Sequence, residues 1–146
     1  MTTIPLTVLS LQDDGFHLLV EVVVFDHQFK AVLDTGASKT VFDKSTIERY
    51  ANHEHIQLSE HLSTGLGTNS MESYTLSIPE LKIGDLSLID YQVSLLDLSI
   101  INSAYEMLDI APILGVIGGD LLKKHKAFID YEGETLRLSL INEGQT

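Results

Sequence analysis

Along most of this chain apolar residues recur at every second position, and many of them are β-branched. That period belongs to strands, whose side chains alternate between two faces, and it is incompatible with a helical stripe. Gly, Asn or Asp bounds each such segment, so the chain reads as a succession of strands joined by tight turns. Ile4 to Leu11 is one strand, Asp13-Asp14-Gly15 a turn, and "HLLVEVVVF" (His17 to Phe25) a second strand. Asp26 and His27 turn the chain into Gln28 to Leu33, which makes the start of the protein a β-meander.

Further on, Lys39 to Phe42 suits a short strand, and "DKSTIERYA" a short helix in which Ser45 and Glu48 have capping-box spacing. Residues 56–64 and 70–78 flank the glycine-rich "TGLGTNS" as two strands of a hairpin. Leu81 to Leu98 alternates around a turn at Gly84-Asp85, and "NSAYEMLDI" suits one or two helical turns before Pro112. An apolar run then breaks at Gly118-Gly119, a helix follows from Asp120 to about His125, and two strands surround Tyr131 to Glu134. With 146 residues and no linker, low-complexity tract or repeat, residues 1–146 are expected to form a single, mainly β domain with two or three short helices.

Composition narrows the function. Twenty-one acids against nine bases give a formal charge of −12, which would repel a phosphate backbone, so no nucleic-acid partner is expected. There is no cysteine, which excludes disulfides, thiolate metal sites and cysteine nucleophiles. No apolar run approaches the roughly 18 residues of a membrane span, and the N-terminus lacks the pattern of a signal peptide. The expectation is a soluble cytoplasmic protein that does not engage membranes.

One stretch carries chemistry. In "FKAVLDTGASKTVFD" (Phe29 to Asp43) an apolar strand runs into a single acid, Asp34, and turns away on Thr35, Gly36 and Ala37 before a second apolar pair. A carboxylate brought toward an interior is costly unless it has partners or a use. Read blandly, Asp-Thr-Gly is also good turn chemistry, with the Asp side chain closing an Asx-turn.

This loop resembles the catalytic loop of aspartic proteases. Val116-Ile117-Gly118-Gly119-Asp120-Leu121-Leu122 resembles the apolar-apolar-Gly element that precedes a short helix in the retroviral-type members, the retropepsins, and the glycine-tipped hairpin lies where that family has its flap. The order of these elements covers most of the chain. The resemblance implies a closed β-barrel of retropepsin-like type, aspartic endopeptidase activity without cofactor or metal, and Asp34 as the catalytic acid. It also implies positioning roles for Thr35, Gly36 and Ala37, a flap at Gly65, Leu66 and Gly67, and a structural role for Ile117, Gly118, Gly119 and Asp120. Thr35 would hydrogen-bond across to a partner loop, Gly36 would permit a tight turn and close backbone approach, and Ala37 would leave room at the junction.

Such hydrolysis needs two carboxylates sharing one proton, one acting as base and the other as acid. This chain has a single Asp-Thr-Gly. Asp90, Asp97 and Asp130 also follow apolar residues but precede Tyr, Leu and Tyr. The second acid is therefore expected from a second copy of the chain, across a two-fold axis, with an extended polypeptide as substrate. Two departures from the viral pattern occur together: Ser38 and Gly119 stand where viral members carry an acid and an arginine that pair near the dimer interface. The chain is also longer than viral members near residues 43–57 and 99–112, as in cellular and bacterial relatives. Ala37 stands where pepsin-type loops have a hydroxyl residue, which implies a milder, weakly acidic pH optimum.

Other features have plainer readings. His53, His55 and His61 in "NHEHIQLSEH" suit a solvated polar stretch better than a metal site, and Lys123, Lys124 and Lys126 complement a helix C-terminus. The five tyrosines are scattered singly and suit packing at a barrel rim. The competing function is a peptide-binding or dimerisation module that keeps the fold and the Asp-Thr-Gly loop without cutting.

Overall fold

A computed structural model describes residues 1–11, 15–51 and 74–140, with the backbone of three short strands between residues 56 and 71. The meander is present as β1 (Thr2–Ser10), β2 (Phe16–Val24) and β3 (His27–Leu33). The β2–β3 corner falls at Phe25 and Asp26, not at Asp26 and His27, because these two residues adopt φ of 50° and 62°. Two consecutive positive φ values are what a two-residue hairpin turn needs to match strand twist.

After β3 come β4 (Val41–Asp43) and α1 (Lys44–Tyr50), then the short strands β5 (Ile56–Leu58), β6 (Ser63–Thr64) and β7 (Ser70–Met71). The β6–β7 pairing is antiparallel, and β5 pairs with β8 (Tyr74–Ile83). The intervening tip, with Gly65, Leu66 and Gly67, lies outside the described residues, as do His53, His55 and His61. The long hairpin of β8 and β9 (Leu86–Leu96) turns at Gly84, whose φ of +60° suits glycine. The rest of the chain supplies α2 (Ser99–Met107), β10 (Gly115–Ile117), α3 (Gly119–Lys124), β11 (Phe128–Asp130) and β12 (Thr135–Leu138).

Six of these strands close a ring in the order β2-β3-β10-β4-β9-β8, and the pairing of Val23 with Lys82 and Val24 with Leu81 returns it to β2. The result is the closed β-barrel expected for a retropepsin-like fold, with three short helices among the described residues. Two contacts in the ring are parallel, β3 with β10 and β4 with β9. β1 extends the sheet beyond β2, and β12 and β11 follow it.

Strand alternation separates two apolar clusters. Leu18, Val20, Ala31, Leu33, Phe42 and Ile117 belong to the large cluster inside the barrel. Leu19 and Val32, one residue out of phase, point to the other face and pack with Leu11, Tyr105 and Ile113. This second cluster seats α2 against the outside of β2 and β3. Truncating a fully buried member such as Phe42 to Ala would cost about 3–5 kcal/mol.

The α1 cap departs from the Ser45/Glu48 box. Asp43 is the N-cap, and its Oδ2 accepts from the Thr46 backbone N–H at 3.2 Å and the Thr46 hydroxyl at 2.7 Å. Its other oxygen accepts from the Leu98 N–H at 3.0 Å, so one buried carboxylate joins the start of α1 to the approach to α2. Ser45 lies inside the helix, and Glu48 pairs with Lys44 at 3.1 Å. No helix among the described residues is long and apolar enough to cross a membrane.

Candidate active site

The Asp-Thr-Gly loop is shaped by the way residues 31–43 straddle β10. On one side β3 runs parallel to it, with Ala31 opposite Gly115 and Leu33 opposite Ile117. On the other side β4 runs antiparallel, with Val41 opposite Val116 and Phe42 opposite Gly115. The loop between must pass over the end of β10, and the backbone there is tied at each step. The Asp34 N–H donates to the Ile117 carbonyl at 3.0 Å, the Gly119 N–H to Ala37 O at 2.7 Å, and the Asp120 N–H to Ser38 O at 3.2 Å.

Such closeness leaves no room for a side chain at Gly115 or Gly118. A Cβ on Gly118 would lie 2.5 Å from the Lys39 carbonyl oxygen, and one on Gly115 would collide with Val41 and Phe42. Gly36 differs: its φ is outside the left-handed region, and a Cβ there would meet the Asp34 carboxylate at 3.3 Å. Within one chain the backbone approach that demands glycine therefore falls at Gly115 and Gly118.

Asp34 itself is exposed at the end of β3, as are Thr35, Gly36 and Ser38, with Ala37 half-buried. The Gly36 N–H donates to Asp34 Oδ1 at 3.0 Å and the Ala37 N–H to the Asp34 carbonyl at 3.1 Å. These two bonds close the turn while the Asp34 residue stays exposed, so Asx-turn geometry does not take the carboxylate out of solvent.

Beneath the loop lies a polar support. Thr40, 1% exposed, donates its hydroxyl to Asp120 Oδ1 at 2.8 Å and accepts the Gly118 N–H at 3.1 Å. Asp120 Oδ2 accepts from the Tyr91 hydroxyl at 3.1 Å. Burial, and then the negative charge and hydrogen bond of Asp120, push the Tyr91 phenol well above its ordinary range, so it stays a neutral donor. Asp120 does not cap α3; Gly118 is the N-cap, without a side-chain bond, and the Asp120 carboxylate turns to β9 and to the strand side of the loop. Sequence reasoning missed Thr40 and placed Tyr91 generically at the rim. A hydroxyl four residues after the loop glycine and an acid just after the Gly-Gly pair were the available signals.

The other acids with apolar residues before them lie away from the loop in sequence, and two of them close local turns. Asp90 sits within β9 at φ 52°, Asp97 Oδ1 accepts the Ser99 N–H at 2.9 Å, and Asp130 Oδ1 accepts the Gly133 N–H at 3.0 Å. Beside Asp34 opens a cavity of about 500 Å³, walled by Val32, Leu33 and Val116 on the barrel and by Ile100, Ala104 and Leu108 on the α2 side. Among the described residues no group of three or more His, Asp or Glu side chains could hold a metal ion.

The aspartyl protease family model matches residues 20–121, which include the loop, the barrel and the Gly-Gly element. Two solved structures share the fold. The retroviral protease-like domain of Ddi1 from Leishmania major is 21% identical, with 86% of this chain and 90% of that one covered at a TM-score of 0.61. A retropepsin-like aspartic protease from Rickettsia conorii is 20% identical, with 92% and 91% covered at a TM-score of 0.52. No curated protein sequence matches the chain significantly. With the family model matched over most of the chain and the six-stranded barrel in place, this chain belongs to the aspartyl protease family and has a retropepsin-like fold.

Proposed function

We propose that the protein is an aspartic endopeptidase that works as a homodimer, with residues 1–146 forming one retropepsin-like unit per subunit. The observation that carries this reading is the exposed Asp34 carboxylate at the end of β3, held outward by the Gly36 N–H on a loop clamped to β10. An exposed acid on a rigid turn is available to a second copy of itself. Two such carboxylates brought together by a two-fold axis cannot both ionise, so they share one proton.

In that arrangement the ionised carboxylate takes a proton from a water molecule lying between the pair as its oxygen attacks the peptide carbonyl. The protonated partner gives its proton to the carbonyl oxygen, forming a neutral tetrahedral diol. Collapse of the diol returns one hydroxyl proton to a carboxylate, and the amide nitrogen leaves as an amine after accepting a proton from the dyad. Thr35, Gly36 and Ala37 hold the acid in place. The substrate is an extended polypeptide segment, and the cysteine-free, acidic composition suits a reducing, cytoplasmic setting.

The test is cleavage of an unfolded protein by the purified chain and by its Asp34→Asn variant, with the oligomeric state of both measured by sedimentation. Loss of cleavage with the dimer retained supports the reading. Cleavage that survives the substitution sinks it.

A further inference from the structure

Strand β3 is seven residues long, yet β10 pairs with its last three alone, Ala31 to Leu33. Before β10 the chain is drawn onto the outer face of the sheet, where Ile113 packs with Leu19 and Val32. Asn102 on α2 holds it there, accepting the Ile113 N–H at 2.9 Å and donating to the Ile113 carbonyl at 3.3 Å. The last tie to β3 is the Leu114 N–H, which donates to the Lys30 carbonyl at 2.8 Å. Backbone groups two residues apart on a strand point the same way, so the Lys30 N–H and the Gln28 N–H and carbonyl face this open side. Among the described residues none of the three has a hydrogen-bond partner. An unpaired strand edge is a template for another strand.

A cavity of about 540 Å³ opens here, lined by Gln28 to Lys30 and by residues 109–113. Among the described residues it shares Ile113 alone with the cavity that Asp34 lines. Side chains of a strand laid along β3 would alternate between two faces. On the outer face Leu19, Ile110 and Pro112 offer apolar surface and Asp109 an exposed carboxylate, while Glu21 stands opposite Lys30 in the β2–β3 register and offsets its charge. That wall suits a lysine or arginine, whose stem covers apolar surface while its charge reaches a carboxylate. On the inner face the Phe29 and His27 rings lie 5.3 and 4.5 Å from the Tyr50 ring, and Tyr50 is 41% exposed. Rings so placed suit a β-branched or aromatic residue. The formal charge of −12 favours the same basic partner. We infer that the open half of β3 docks an extended segment of another protein, with alternating basic and apolar residues, by strand addition. This docking edge is independent of the proposed endopeptidase activity.

The probe is a short labelled peptide of alternating Lys and Val, into which the full chain carrying Asp34→Asn is titrated by fluorescence anisotropy, so that nothing is cut. Adding Gln28→Pro removes an N–H that faces away from β2, a change an open strand edge accommodates. Binding should weaken roughly tenfold or more with the unfolding midpoint kept. Methylating all the Lys nitrogens of the peptide, or all the Val nitrogens, blocks one peptide edge in each case, so the two should weaken binding unequally. Asp109→Asn, a residue type that tolerates the φ of 59° at that position, should cut the preference for the Lys-Val peptide over a Glu-Val one by about threefold. If Gln28→Pro lowers the midpoint, the methylated peptides and Asp109→Asn decide. No binding of the Lys-Val peptide, equal losses from the two methylations, or an affinity that Gln28→Pro leaves unchanged would overturn the docking edge. So would self-association that Gln28→Pro abolishes in a chain that binds no peptide, which would make the edge a contact between copies. Cleavage of an unfolded protein by the parent chain, or its absence, bears on the hydrolase reading alone.

Discussion

The backbone N–H of Asp34 donates to the carbonyl of Ile117 at 3.0 Å, so a residue of the Asp-Thr-Gly loop is tied to one more than eighty positions further along the chain. That bond continues the parallel register of β3 and β10 to its last residue and sets where the carboxylate leaves the barrel. The loop is thereby a product of the whole barrel and not of a local turn alone.

Gly118→Ala is expected to be severely destabilising. Its new Cβ would meet the Lys39 carbonyl carbon and oxygen at 2.6 and 2.5 Å, and backbone on both sides is held by hydrogen bonds. A loss of about 2–3 kcal/mol, read from urea unfolding, should accompany loss of the native loop. An unchanged midpoint would mean that β4 and β10 can separate at little cost.

Thr40→Val keeps the shape of the side chain but removes both hydroxyl bonds, leaving the Gly118 N–H and one Asp120 oxygen without that partner. The expected cost is about 2–3 kcal/mol, against about 1 kcal/mol for Tyr91→Phe, which removes a single donor to Asp120. Reversal of that order in thermal or urea unfolding would show that Tyr91 carries the support.

Asp43→Ala removes three hydrogen bonds from one buried carboxylate and strands the Leu98 N–H. Unfolding free energy should fall by about 2–4 kcal/mol, more than an ordinary cap loss of about 1 kcal/mol. Ser45→Ala, at the position the sequence suggested as cap, should have little effect.

Asp97 gives a pH dependence. The Ser99 N–H and hydroxyl hold its carboxyl below the ordinary value of 3.8. A carboxyl depressed in the folded state contributes fully above its unfolded value and loses that contribution as pH falls through the folded one. The stability difference between the parent and Asp97→Ala should therefore be constant at neutral pH and shrink once the pH drops below 3.8. A difference that grows in acid would contradict the assignment.

Much of this fold was legible because strand alternation is local. "HLLVEVVVF" announces β2, and Gly84-Asp85 announces the β8–β9 turn, since side-chain period and turn chemistry are written in neighbouring residues. The two parallel pairings were not legible, because nothing in residues 31–33 names residues 115–117 as their neighbours. For the same reason Thr40 and Tyr91 were missed: their partner is Asp120, and a hydroxyl bonded across the barrel looks in sequence like any other. Ser45 and Glu48 had the right spacing for a cap, but β4 ends at Asp43, which stands first in line for the free N–H groups of α1. Asp34 was legible as an acid at the end of an apolar strand, and its exposure follows from where β3 stops.

The most direct measurement mixes parent and Asp34→Asn chains at constant total concentration, allows subunits to exchange, and follows the cleavage rate of an unfolded protein against the parent fraction. If each active site needs one Asp34 from each of two chains, the rate falls as the square of that fraction, and pure Asp34→Asn loses about a thousandfold or more. A linear fall would mean that a single chain carries the whole reaction, and no cleavage by the parent at any weakly acidic or neutral pH would mean that the paired acids do not act on peptide bonds at all.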